Sequence, residues 1–237
     1  MFGSRATWDF PICKVEQYPE IVMPVRRFES YTIPGRSGTL HAAESAFEAI
    51  TKSYSCYFHA DDFVPDTAHE IASWLSSHKG QQRLIDAYDH EHFFMATVLT
   101  ETTFENWMGK YSRFKVTFTC DPRAFLVSGD NPILLLSSGT SIRNPCAFPS
   151  TPIITVFGSA PGDLTVGGTT VSLLAFSGDI TLDCEDMDAY RVADGILVNC
   201  NGLIYAQEFP VLQPGENVVS WSGGIDHVEI IPRWWTL

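Results

Sequence analysis

Between Lys110 and Cys120 the side chains alternate, with Phe114, Val116 and Phe118 on one side and Lys115, Thr117 and Thr119 on the other. Period-two alternation is the pattern of a strand with one buried face. The apolar run Phe93–Phe104 just upstream is the predicted partner, with ENWMG as the turn of a hairpin. A different period governs residues 67–79. Ala68, Ile71, Trp74, Leu75 and His78 recur at three- and four-residue steps and predict one apolar stripe on a helix. Thr67 and Glu70 have capping-box spacing. Lys79 falls in the expected last turn, and Gly80 is the expected residue just past the end. HAAESAFEAI (His41–Ile50) has a weaker helical pattern and reads equally well as an alanine-rich strand.

From Asn144 onward short apolar segments follow one another: TPIITVFG, DLTVGG, TTVSLLAFSG, DITLDCED, ILVNCNG, QEFPVLQPGEN, VVSWSGG and DHVEIIPRWWTL. Turn signals at this spacing predict a β-sandwich or jelly roll. The stretch SSGTSIRNPCAFPSTP is rich in Ser, Gly and Pro and reads as a junction. The expected organisation is mainly β, with one or two helices: a first domain over 1–140 and a β-sandwich over 141–237. No internal repeat is visible.

Composition changes this picture in one respect. Charged residues are 18% of the 237, below the roughly 25% of ordinary soluble chains, so much of the surface is expected to lie against partners. The net charge is −13. Residues 1–140 hold 12 basic and 17 acidic side chains (−5), and residues 141–237 hold 3 and 11 (−8). Binding nucleic acid needs clustered Lys and Arg to displace counterions from phosphate, and the second half has almost none. A negative wall instead lets DNA pass without sticking. The six cysteines, at 13, 56, 120, 146, 184 and 200, contain no C-x-x-C, which removes zinc-knuckle and thioredoxin-type motifs. They are expected to be reduced and buried, in a protein made in the cytoplasm. MFGSRATWDF has no apolar signal core. No run reaches the ~18 apolar residues of a membrane span, so no membrane insertion is expected.

Candidate chemistry is sparse. YTIPGRSGTL (Tyr31–Leu40) invites a phosphate reading. Two residues separate Gly35 from Gly38 and no Lys follows, so it does not match a P-loop. Ile33-Pro34-Gly35-Arg36 reads instead as a type II turn, with Pro at the second position and Gly at the third. Pro34, Gly35, Arg36 and Gly38 are thus structural-turn candidates. His90 and His92, with the HADD stretch from His59, suggest a metal, but spacing fixes no third ligand. Asp183, Glu185, Asp186 and Asp188 suggest calcium without the EF-hand pattern. Trp221, Trp234, Trp235, Tyr190 and Tyr205 offer aromatic rings for a sugar groove or, more simply, for core and interface. No nucleophile elbow or zinc-protease motif is present. The expectation is a non-enzyme without catalytic residues, metal or cofactor.

Taken in order, several segments resemble the distal tail proteins of non-contractile-tailed phages. They are VEQYPEIVMPVRRFESYTIPGRSGTL, IASWLSSHKG with RLIDAYDHEHFFMATV, FKVTFTCDPRAF, NPCAFPSTPIITVFGSAPGDLTVGG, DITLDCEDMDAY, FPVLQPGENVVSW and EIIPRWWTL. The resemblance runs along nearly the whole chain and fits Met1–Cys13 least. It implies an N-terminal β domain that forms a ring, usually a hexamer, and a galectin-like or carbohydrate-module-like sandwich outside it. It also implies that the turn at Pro34, Gly35, Arg36 and Gly38 lies in the ring-forming domain, which makes these four subunit-contact candidates, with Arg36 available for a neighbouring copy's carboxylate. It implies a structural virion protein at the tail tip. Its partners would be further copies of itself, the tail tube protein and tail-tip or receptor-binding proteins, with DNA passing through the lumen unbound. The alternative kept open is a carbohydrate-binding module for host glycans. The second domain lacks an inserted module, which weakens that alternative.

Overall fold

The computed structural model describes residues 1–10, 13–17, 19–59, 64–99, 101–107, 110–159 and 161–237. The chain divides into two compact units, 1–124 and 125–236. The division falls ahead of the junction that composition suggests at 140. Residues 125–140 belong to the second unit because β10 (Ile133–Leu135) is hydrogen-bonded along β20 (Ile225–Ile231). The Ser- and Pro-rich stretch that reads as a linker contains β11 (Thr140–Asn144), paired over five residues with β19 (Gly215–Trp221).

The first unit is built on β1 (Lys14–Val15), β2 (Arg26–Thr32), β3 (Thr39–Phe47), β4 (Ile50–His59), α1 (Val64–Ser76), β5 (Gln82–Asp86), β6 (Asp89–Val98), β7 (Phe104–Trp107) and β8 (Tyr111–Cys120). Its main sheet runs β1-β4-β8-β6, with β5 on β6 and β7 on β8. The spine is the ten-residue antiparallel pair of β4 and β8. Phe114, Val116 and Phe118 of β8 are buried as the alternation requires, in one core with Tyr54, Cys56 and Phe58 of β4. The run predicted over Phe93–Phe104 is two strands: β6 ends at Val98 and β7 begins at Phe104. Most of ENWMG is therefore strand, and its last residues, 108 and 109, lie outside the described residues.

Helix α1 covers the sheet with Val64, Ile71, Trp74 and Leu75. It begins at Val64 rather than near Thr67, so Thr67 is interior and no capping box forms there. Glu70 instead pairs with Arg5 at 2.9 Å. The helix ends at Ser76. His78 lies beyond it, and its Nδ1 is 3.1 Å from the Trp74 carbonyl. The alanine-rich His41–Ile50 stretch is strand, in β3 and the start of β4.

β9 (Ala124–Leu126) spans the division, and the second unit holds β10, β11, β12 (Ile153–Gly158), β13 (Gly162–Val166), β14 (Thr169–Leu173), β15 (Gly178–Asp183), β16 (Asp188–Ala193), β17 (Ile196–Asn199), β18 (Ile204–Tyr205), β19, β20 and β21 (Trp235–Thr236). Two sheets, β10-β20-β12-β15-β16-β17 and β11-β19-β13-β14-β18, enclose one core. Period-two alternation supplies it: Ile154, Val156, Ile180, Leu182, Val228 and Ile230 come from one sheet, and Leu164, Val166, Val171 and Val219 from the other, all at most 1% exposed. Full burial of each such side chain is worth about 1.5–3 kcal/mol. QEFPVLQPGEN, predicted as a strand, is mostly irregular. It contributes Leu212, fully buried and bridged to Ser150.

Candidate functional site

The site most at odds with a self-sufficient monomer is the hairpin of β2 and β3. These strands pair with each other, Phe28 opposite Ala43 through Thr32 opposite Thr39, and with no third strand among the described residues. Every residue of β2 is exposed. Phe28 (53%) and Tyr31 (49%) of β2 and Leu40 (48%) of β3 stand in solvent. A two-stranded hairpin alone is at best marginally stable in water. This one is held by side-chain contacts along its own length: Phe28 meets His41 edge-on at 5.1 Å, Arg26 lies 4.6 Å over the Phe47 ring, and Tyr31 donates to Glu29. At its base the Glu48 N–H donates to the Val25 carbonyl at 2.8 Å, and Arg27 pairs with Glu48 at 3.2 Å.

The tip of this arm is the Pro-Gly loop. The Arg36 N–H donates to the Ile33 carbonyl at 3.1 Å, and Gly35 sits at φ +83°, the geometry of a type II turn. Gly38, at φ +88°, brings the chain into β3. Pro34, Gly35, Arg36 and Gly38 are all exposed. Among the described residues Arg36 has no carboxylate partner. The structure thus brings the four together at one exposed tip, far in sequence from any other candidate residue.

Ahead of the arm, exposure alternates in an unusual sense. Ile21, Met23 and Val25 are 99%, 82% and 60% exposed, while Pro24 between them is buried and Val22 is 37% exposed. Three apolar side chains therefore point away from the unit. Sequence reading gives no sign of this, because an apolar alternation looks the same whether its apolar side faces core or solvent.

The first unit also carries an apolar cavity of about 520 Å³, lined by Phe10, Tyr54, Trp74, Phe114 and Phe118 among others. The Tyr54 hydroxyl donates to Asp86 at 3.1 Å, and burial followed by the Asp86 charge pushes its pKa up. Cys13 and Cys56 also line the cavity. Burial pushes both thiols up to about 12. They are neutral apolar walls at neutral pH, not thiolate nucleophiles.

The remaining candidates resolve into local structure. His92 bonds Asp89 at 2.9 Å, and His90 is exposed. Burial pushes the Asp89 carboxyl up, but the His92 contact and the Glu91 and His92 N–H groups outweigh it and hold the pKa below its ordinary value. Of HADD only His59 is described, and its ring lies tilted against Tyr111, centroids 4.7 Å apart. The acidic run around Asp183 does not converge. Asp183 takes two bonds from Arg233, at 3.0 and 3.4 Å, and caps the Glu185 and Asp186 N–H groups. Asp188 instead accepts from Asn201 at 2.6 Å. Among the described residues no three His, Cys, Asp or Glu side chains gather as a metal site. The aromatic residues are likewise separated: Trp234 is buried, Trp235 stacks on Phe148 at 4.5 Å, and Tyr205 is 69% exposed.

No family model matches the sequence, and no curated protein is similar to it by sequence. Solved structures do match the fold. The Dit protein of phage SPP1, described as a paradigm of the hub adsorption apparatus in phages infecting Gram-positive bacteria, aligns over 100% of this chain and 98% of its own. The TM-score is 0.72 and the identity 12%. Chains of the phage P2 baseplate in its activated conformation, with Ca and with Sr, align over 92% of this chain and 89% and 90% of theirs. Their TM-scores are 0.52 and 0.53, each at 8% identity. From end to end, this chain has the fold of a phage tail hub protein.

Proposed function

We propose that this chain is a structural, non-enzymatic virion protein that forms a ring, a hexamer, at the distal end of a non-contractile phage tail. The ring joins the tail tube to the tail-tip and receptor-binding proteins and lets DNA pass. The observation that carries this reading is the β2–β3 arm. A hairpin with one strand wholly exposed and apolar side chains in solvent reaches stability by lying on something else, and in a ring that something is the next copy. A ring contact is heterologous, so each subunit offers two different patches. The likeness to tail hub folds and the low charge content support the same reading.

In this reading Pro34, Gly35 and Gly38 shape the arm tip, and Arg36 reaches a carboxylate of the neighbouring copy. Acidic side chains of the first unit dominate the bore, so DNA meets a repelling wall. The protein is made in the host cytoplasm and ends in the virion. Light scattering and negative-stain imaging of the purified chain, together with imaging of assembled tails, test this. The expected result is a closed ring at the tail tip with a net negative bore. A species that is monomeric at every concentration and absent from tails would overturn it.

A further inference from the structure

Two features of the first unit complement each other. One is the outward row Ile21, Met23 and Val25, apolar and uncovered. The other is the apolar cavity, whose lining includes Trp8 and Tyr88. These two rings are nevertheless 70% and 47% exposed, so they stand at its mouth. An aromatic rim around an apolar recess is the usual form of a binding hot spot. A row of aliphatic side chains on an extended segment is the usual form of its ligand.

Resting on the ring reading, we infer that the Ile21–Val25 segment of one copy seats in the cavity of the next copy, with Met23 entering between Trp8 and Tyr88. Four observations select a second copy as the occupant. The row and the recess lie in the same unit of the same chain, as a head-to-tail contact needs. The segment's own copy leaves Ile21 at 99% exposure, so self-occupancy does not occur. The cavity, about 520 Å³, lies within the ~300–1,000 Å³ of clefts that bury a ligand. Finally, Glu20 immediately precedes the segment, and exposed Lys14 lines the cavity, so the carboxylate flanking the segment meets a cation at the recess. The arm then follows directly from the seated segment, and one continuous stretch engages the neighbour.

The test uses the full chain. Met23→Cys and Tyr88→Cys variants are mixed and mildly oxidised, with Met23→Cys plus Val192→Cys as the control pair. The native cysteines are buried, apart from half-buried Cys146, and stay silent. The expected result is a cross-linked pair in the first mixture and none in the control. Met23→Asp should weaken assembly at least tenfold by light scattering while leaving the thermal transition unchanged, since Met23 touches little in its own copy. If oligomers form without the cross-link, or Met23→Asp assembles as the parent does, the inference fails and the ring reading stands. If neither oligomer nor cross-link appears at high concentration, the inference fails, and imaging of assembled tails decides the ring reading.

Discussion

Replacing Gly35 by Val isolates the contribution of the arm tip. Gly35 sits at φ +83°, and an added Cβ would meet no atom within 4 Å. The cost is therefore backbone strain alone, without a clash. A non-glycine residue in left-handed backbone costs roughly 1–2 kcal/mol, with β-branched side chains at the upper end. That corresponds to a factor of about 5–30 in the population of the formed turn. None of this reaches the core, because among the described residues the arm pairs with no strand of the main sheet and puts no side chain into its core. Gly35→Val should leave the thermal midpoint of the chain within a degree or two. It should also raise the concentration at which rings dissociate by about 5–30-fold. Sedimentation or light scattering over a dilution series reads the second quantity, and circular dichroism reads the first. Unchanged assembly would refute the turn's role. A large drop in midpoint would refute the separation of arm from core.

Asp183→Ala removes both bonds to Arg233 and two N–H caps at a site 8% exposed. Denaturant unfolding of the second unit should register a loss of about 2–3 kcal/mol, and a loss under about 0.5 kcal/mol would contradict the assignment. Gly158→Ala would place its Cβ 2.2 Å from the Gly224 carbonyl oxygen, so soluble yield and midpoint should both fall, and a neutral result would contradict the close β12–β20 packing. Cys13, Cys56 and Cys184 are raised from 9.0 to about 12 by burial. The unfolded chain thus loses these protons first, and stability is fully present below pH 9 and declines as pH climbs towards 12. Thiol reagents at pH 8.5 should leave all three unmodified until denaturant is added, and rapid labelling of the native chain would contradict the burial. A glycan array should return no binder, since Trp234 is buried and Trp235 is stacked on Phe148. A specific glycan hit abolished by a Tyr205 substitution would reinstate the sugar-binding reading.

Much of the fold was legible in the sequence because alternation and the helical stripe are direct consequences of which face meets the core. Ile71, Trp74 and Leu75 announce α1, and Phe114, Val116 and Phe118 announce β8. What misled were local signals overruled at long range. Thr67 and Glu70 have the spacing of a cap, yet Glu70 serves Arg5, 65 residues away. SSGTSIRNPCAFPSTP has the composition of a linker, yet Asn144 is 2% exposed and its amide donates to the Phe148 and Leu212 carbonyls. QEFPVLQPGEN looks like a strand because Leu212 is a plug that needs burial but no ladder. At the candidate site, the turn was readable from Pro34 and Gly35, since they carry its backbone requirement. The arm was not, because FESYT alternates like any half-buried strand. Only the missing third strand reveals its need for a partner.

The central claim is that the arm assembles the ring while the rest of the first unit folds without it. The structure offers a clean excision, because the Glu48 N–H already bonds the Val25 carbonyl at 2.8 Å across the base. A chain lacking residues 26–47, with Val25 joined to Glu48 through a short glycine turn, can be weighed by light scattering beside the intact protein. The account predicts six times the 26.4 kDa chain mass for the intact protein, and a folded monomer with an unchanged thermal midpoint for the excised one. A ring that persists without the arm would contradict it.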